Sequence, residues 1–186
     1  MPGPPLVGVL AIQGGFDAHI LVLESLGART REVRTAAELE GVDALVIPGG
    51  ESTTMSLGIE RERLAEPLRE LVREGTPTLG TCAGLIMLDR EHLGLLDVSS
   101  RRNAFGRQVR SFEADLDLGE LGKLHAVFIR APWVEDAGPG VEVLAEVDGH
   151  AVAVRSEGVV AVAFHPELSG DDGLHRWLVE RAAGRR

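Results

Sequence analysis

The chain contains a single cysteine, Cys82, set within Gly80-Thr81-Cys82-Ala83-Gly84. A nucleophile with glycine two residues away on each side, where an apolar strand runs into a helix, is how many hydrolases project a reactive side chain from a strained turn. A lone cysteine is more often a small buried hydrophobe; the paired glycines favour the reactive reading here. Placed at the start of a helix expected from Ala83 to about Arg90, the sulfur meets free amides and the positive helix end, which favour the thiolate. Ser52 and Ser56 follow another glycine-bearing loop but lack glycine on both sides at this spacing.

Two further segments could complete the chemistry. His165-Pro166-Glu167 directly follows the apolar run Val159 to Phe164, so it belongs at a strand end. Side chains at i and i+2 of an extended segment point the same way, and the proline biases His165 toward extended torsions. Imidazole and carboxylate then lie side by side, and the carboxylate can fix the tautomer and stabilise an imidazolium. The loop Pro48-Gly49-Gly50-Glu51-Ser52-Thr53-Thr54 has paired glycines that let backbone amides face a ligand. With the Ala83 amide, the Gly50 region could cradle a developing oxyanion. It lacks the lysine and spacing of a phosphate loop. Thiol, base, carboxylate and oxyanion donors together point to attack of a thiolate on a carbonyl carbon.

The elements that must position these groups are legible as patterns. Leu6 to Ile12, Arg29 to Val33, Ala44 to Ile47 and Thr78 to Thr81 read as strands, and Phe16 to Leu26 and Arg61 to Glu74 as helices, with Gly27 a helix C-cap. Alternating strands and helices imply parallel βαβ units with both sheet faces covered. From Gln108 onward the pattern becomes β-rich: Gln108 to Leu116, Ala126 to Arg130, Val141 to Val147, Ala151 to Ser156 and Val159 to Phe164 are expected to pair mainly antiparallel. Asp148-Gly149 is a strong hairpin turn and Glu157-Gly158 a weaker one. Asp171 to Ala183 reads as a closing amphipathic helix.

Composition narrows the partners. At 186 residues, 44% hydrophobic and 26% charged, the chain is expected to form one globular domain over residues 1–186. A net charge of −10 argues against nucleic acid. The apolar runs fall short of the roughly 20 residues of a membrane span, and the first residues do not read as a secretory signal, so the cytoplasm is the expected location. One cysteine excludes an internal disulfide, the six histidines show no metal-ligand spacing, and no cofactor is implied.

At this point the residues resemble a known family, the glutaminase subunit of two-component pyridoxal phosphate synthases, within the triad class of glutamine amidotransferases. The likeness runs through Gly8 to Gly14, Pro48 to Thr54, Gly80 to Ile86, Arg102-Asn103, Phe105 to Gln108, Ser111 to Leu116, Phe128 to Pro132 and Phe164 to Leu168. Other triad glutaminases are similar only at the elbow and the His-Pro-Glu, and often carry a glutamine after the elbow where this chain has Leu85 and Ile86. The resemblance implies a three-layer α/β fold of the class I glutamine amidotransferase, flavodoxin-like type, with a mixed sheet and helices on both faces. It implies hydrolysis of L-glutamine to glutamate and ammonia by Cys82, His165 and Glu167. By position, the glutamine contacts fall on Gly50, Glu51, Ser52, Arg102, Ile129 and Arg130, and the oxyanion donors on Gly50 and Ala83. The implied partner is a barrel-shaped synthase subunit in a large hetero-oligomeric complex, making pyridoxal phosphate from a pentose phosphate and a triose phosphate, with Gln13 helping couple docking to the site. Residues alone leave other readings open: a glutaminase serving a different synthase, a cysteine peptidase-like hydrolase, or a binding or redox-sensing module in which Cys82 is simply a reactive thiol.

Overall fold

The computed structural model describes residues 3–106 and 111–185. The first half runs β1 (Leu6–Leu10), α1 (Phe16–Ser25), β2 (Arg29–Val33), β3 (Ala44–Ile47), α2 (Ser52–Arg61), α3 (Ala65–Arg73), β4 (Thr78–Thr81) and α4 (Ala83–Leu88). The second half adds β5 (Val98–Arg101), β6 (Ser111–Asp117), β7 (Lys123–Ile129), β8 (Trp133–Ala137), β9 (Glu142–Val147), β10 (His150–Ser156), β11 (Val159–Val162) and α5 (Gly173–Ala183).

One large sheet has the order β2-β1-β3-β4-β11-β10-β8-β5, with β9 also paired to β10, while β6 and β7 form a separate hairpin. The block from β2 to β11 is parallel throughout, and β10, β8, β5 and β9 join it antiparallel. Its order is that of the flavodoxin-like doubly wound sheet. The reason lies in the central strands, which are apolar on both faces. Leu45 and Ile47 of β3 enter one core with Met55, Leu68 and Leu85, whereas Ala44 and Val46 enter the other with Leu23, Phe128 and Leu178. Helices α2, α3 and α4 cover the first face, and α1, α5 and the β6–β7 hairpin cover the second. The expected mixed sheet with helices on both faces is present.

Some boundaries differ from expectation for local reasons. The helix expected over Arg61 to Glu74 is two helices: Arg61 closes α2, Arg63 adopts a left-handed φ of 54°, and α3 starts at Ala65. The helix after Cys82 ends at Leu88, short of Arg90. There the buried Asp89 carboxylate accepts hydrogen bonds from the Glu91 and His92 amides (3.0 and 3.2 Å), which terminates the helix. The first strand stops at Leu10, before Ile12. Strands β5 and β8 were not foreseen. Of the stretch Gln108 to Leu116, residues 108–110 lie outside the described residues, as does Arg107. The Asp148-Gly149 turn takes positive φ at both positions (52° and 78°), the type I′ geometry its sequence favours.

Candidate active site

Strands β4 and β11 are parallel neighbours, so their C-terminal ends lie together on one edge of the sheet. Cys82 follows β4 and His165 follows β11, and the Cys82 amide donates to the Val162 carbonyl at 2.8 Å across that seam. Cys82 has φ 51° and ψ −109°, a conformation that costs a non-glycine residue of order 1–3 kcal/mol. Its surroundings enforce it. Gly84 packs so tightly on β3 that an added Cβ would overlap the Ile47 carbonyl, which fixes how close α4 lies to the sheet. At six residues α4 has a smaller dipole than a longer helix would supply, but its first-turn amides still face the turn.

The base and its carboxylate face this thiol. A Cβ built on Gly49 would come within 2.6 Å of His165 Cε1 and 3.1 Å of Cys82 Cβ, so the glycine loop, imidazole and sulfur-bearing carbon share one small space. His165 Nδ1 is 2.6 Å from Glu167 Oε1. Burial pulls the imidazole toward its neutral form, but hydrogen bonds and charge from Cys82 and Glu167 outweigh this and hold its pKa up at about 10. At neutral pH the ring therefore holds its second proton, with the Glu167 carboxylate as its anionic partner. Burial likewise pushes Glu167 up, yet its hydrogen bond to His165 leaves the carboxyl below the ordinary value. The carboxylate is almost wholly buried, with a side-chain exposure of 3%.

A cleft of about 460 Å³ opens over the sulfur, within the roughly 300–1,000 Å³ typical of small-molecule sites. Cys82, Ala83 and His165 line it together with Gly50, Glu51, Ser52, Arg102, Ile129 and Arg130, so the structure brings these expected site residues into one space. Glu167 lies behind His165 and does not line the cleft. The Glu51 carboxylate accepts from the Thr54 hydroxyl (2.7 Å), the Thr54 amide (2.8 Å) and the Thr53 amide (3.0 Å), capping α2. These bonds depress its pKa to about 2. Arg102 donates to Glu51 Oε1 (3.2 Å) and to Thr53 Oγ1 (3.1 Å). Gln13 Oε1 accepts from the Glu51 amide at 2.7 Å, tying the first strand's end to the glycine loop. Arg130 is left-handed (φ 45°) in the turn between β7 and β8, and the Ile129 carbonyl just before it faces the thiol at 3.9 Å.

The SNO glutamine amidotransferase family matches residues 9–183. The chain belongs to that family. Among SNO relatives, "Pyridoxal 5'-phosphate synthase subunit PdxT" of Mycobacteroides abscessus is 53% identical, the alignment covering 95% of this chain and 96% of the relative. The protein of the same name from Cutibacterium acnes is 51% identical over 94% of this chain and 96% of its own length. A crystal structure of a glutamine amidotransferase matches with 46% identity and a TM-score of 0.89, covering 95% of this chain and 98% of that one. The structure of PurLQS from Thermotoga maritima, at 17% identity and a TM-score of 0.72 over 98% and 99% of the two chains, shares the fold alone.

Three further cleft residues of this SNO member, Ile86, Asn103 and Pro132, carry no site role in the sequence reading, though each ends a segment that bears the family resemblance. More consequential are His19 and His175, both fully buried, with His19 beside the Glu167 carboxylate. Nothing near them in sequence announces this, because the two histidines are brought together from opposite ends of the chain.

Proposed function

We propose that this chain is the glutaminase subunit of a pyridoxal 5'-phosphate synthase, the role printed in the names of its relatives, and that it cleaves L-glutamine with Cys82 as nucleophile. The observation that carries this reading is the convergence of Cys82, His165 and Glu167 at one sheet edge beneath a cleft of amino-acid size. The Cys82 thiolate attacks the side-chain amide carbon of glutamine, and the Gly50 and Ala83 amides hold the resulting oxyanion. His165 gives its proton to the departing nitrogen, which leaves as ammonia, and a γ-glutamyl thioester remains. A water molecule then loses a proton to the neutral His165 and attacks the thioester. Glutamate departs, and thiolate and imidazolium are restored. Glu167 keeps the ring oriented throughout.

Substrate recognition follows from the cleft's charges. A zwitterionic amino acid needs a cation for its carboxylate and acceptors for its ammonium group. Arg102 and Arg130 supply the first, and Glu51 with the Ile129 carbonyl supplies the second. The ammonia passes to a barrel-shaped synthase subunit in a large hetero-oligomeric complex, and the 1–186 chain acts there as one glutaminase domain. The cytoplasm suits this work, since its reducing conditions keep Cys82 a free thiol.

Purified chain mixed with the synthase subunit should release glutamate from glutamine. Cys82→Ala should lower that release by at least about 10³-fold with the unfolding midpoint unchanged. Undiminished release by Cys82→Ala ends the proposal, and cleavage of peptides without any synthase would favour a peptidase instead.

A further inference from the structure

Behind Glu167, on the side away from the cleft, lie two histidines that the mechanism above does not use. His19 on α1 and His175 on α5 are both fully buried, among side chains that are otherwise mostly apolar. Burying an imidazole there is unfavourable unless its nitrogens find partners. Burial drives both rings neutral, His19 to a pKa of about 4 and His175 to about 3. His19 Nδ1 is 2.8 Å from His175 Nε2, and His19 Nε2 is 3.1 Å from Thr81 Oγ1, on the residue before the nucleophile. The same Nε2 is 3.4 Å from Glu167 Oε2, the outer oxygen of the triad carboxylate. In this arrangement neither Glu167 Oε2 nor His175 Nδ1 makes a hydrogen bond.

Counting protons assigns the tautomers. A neutral imidazole carries one N–H and one lone pair. If the proton between the rings belonged to His19, His175 would bury an orphan N–H at Nδ1, and His19 would turn a lone pair toward an anionic oxygen. If it belongs to His175 Nε2, the unpartnered His175 Nδ1 is an acceptor, which is the less costly atom to leave alone, and His19 Nε2–H faces Thr81 Oγ1 and Glu167 Oε2.

We propose that His19, locked as its neutral Nε2–H tautomer by His175, is a positioning residue that presents its N–H to the outer oxygen of Glu167 and helps hold that carboxylate ionised while His165 is uncharged. This rests on the triad reading given above. The need arises within the cycle. Once His165 has passed its proton to ammonia, a nearly buried carboxylate has lost its countercharge, and the His19 N–H is in position to replace part of that stabilisation. The groups facing the pair are Thr81 from β4, His165 and Glu167 after β11, and Asp172 beside His175 at the start of α5.

Kinetics in the complex with the synthase subunit test this. His19→Leu, which removes the donor at similar volume, should lower kcat for glutamate release by about tenfold or more with KM within about threefold. The acid limb of its kcat profile should move upward by about one pH unit, as Glu167 takes up a proton more easily. His19→Gln, which retains an N–H donor, should recover most of both. If His19→Leu keeps the parental kcat and acid limb, or if His19→Gln is impaired to the same degree, the proposal fails. Should His19→Leu not fold, nitrogen NMR of the unmodified protein with labelled histidine decides: an Nε2-protonated His19 at pH 7 supports the assignment and an Nδ1-protonated one overturns it. Cys82→Ala assayed in parallel separates the two readings, since activity surviving there would dismiss the triad itself.

Discussion

Arg102 is one of two arginines that line the cleft. It lies exposed on the cleft wall and lends its guanidinium to Glu51 and Thr53. In the proposed binding mode a glutamine carboxylate shares or takes over these donors, and a charge-assisted bond of this type is worth about 1.5–3 kcal/mol. Arg102→Ala should therefore raise the glutamine KM by about 10–100-fold in the synthase complex while kcat falls much less. Arg102→Lys should recover little, because a single ammonium cannot reproduce the planar fork. An unchanged KM in both variants would remove Arg102 from the binding site. At this scale the sequence was informative where chemistry is local. The glycine-flanked Cys82 stands out by spacing, and the His165-Pro166-Glu167 tripeptide gains its weight from being paired with that elbow. The buried His19 and His175 could not, since a histidine's burial depends on helices and strands distant in sequence.

The elbow between β4 and α4 owes its shape to contact between backbones. Gly84→Ala would drive a methyl group into the Ile47 carbonyl, and neither backbone can yield by rotating a side chain. The expected result is a loss of about 1–3 kcal/mol of stability together with loss of glutamate release, because α4 must move off β3 and carry Cys82 with it. Parental activity and melting temperature in Gly84→Ala would refute that account. Legibility differed among elements for related reasons. Ala44 to Ile47 was readable because a strand buried on both faces is continuously apolar. Helix α2 was obscured because Met55, Leu57 and Ile59 alternate as in a strand, and Leu57 is in fact exposed. Its Gly58 serves a packing need instead, since any larger residue would strike the Ile12 side chain. Strands β5 and β8 carry Val-Ser-Ser-Arg and Trp-Val-Glu-Asp-Ala, too polar and too short to show a period.

Across the whole molecule, the buried histidines and the triad set opposing pH dependences. His19 and His175 protonate near pH 6.5 when unfolded but only at about 4 and about 3 when folded. The unfolded chain thus binds more protons in that interval, and stability declines as pH falls from 6.5. His165 behaves oppositely, keeping its proton up to about pH 10 in the fold, so its contribution is complete below 6.5 and disappears as pH rises through 10. Calorimetry should find the highest melting temperature near pH 6.5. His165→Asn should flatten the alkaline decline and leave the acid decline in place. A melting temperature constant from pH 4 to 6.5 would contradict the neutral burial of the two rings.

The parallel seam between β4 and β11 joins segments made at very different times on the ribosome. Cys82 emerges about eighty residues before the His165 imidazole that lies beside it in the fold, and the hydrogen bond from its amide to Val162 cannot form until β11 exists. Throughout that interval the growing polypeptide carries Cys82 without His165. Under the proposed mechanism, every truncated product that ends before the final strand lacks its base, so order of synthesis withholds the reaction from it.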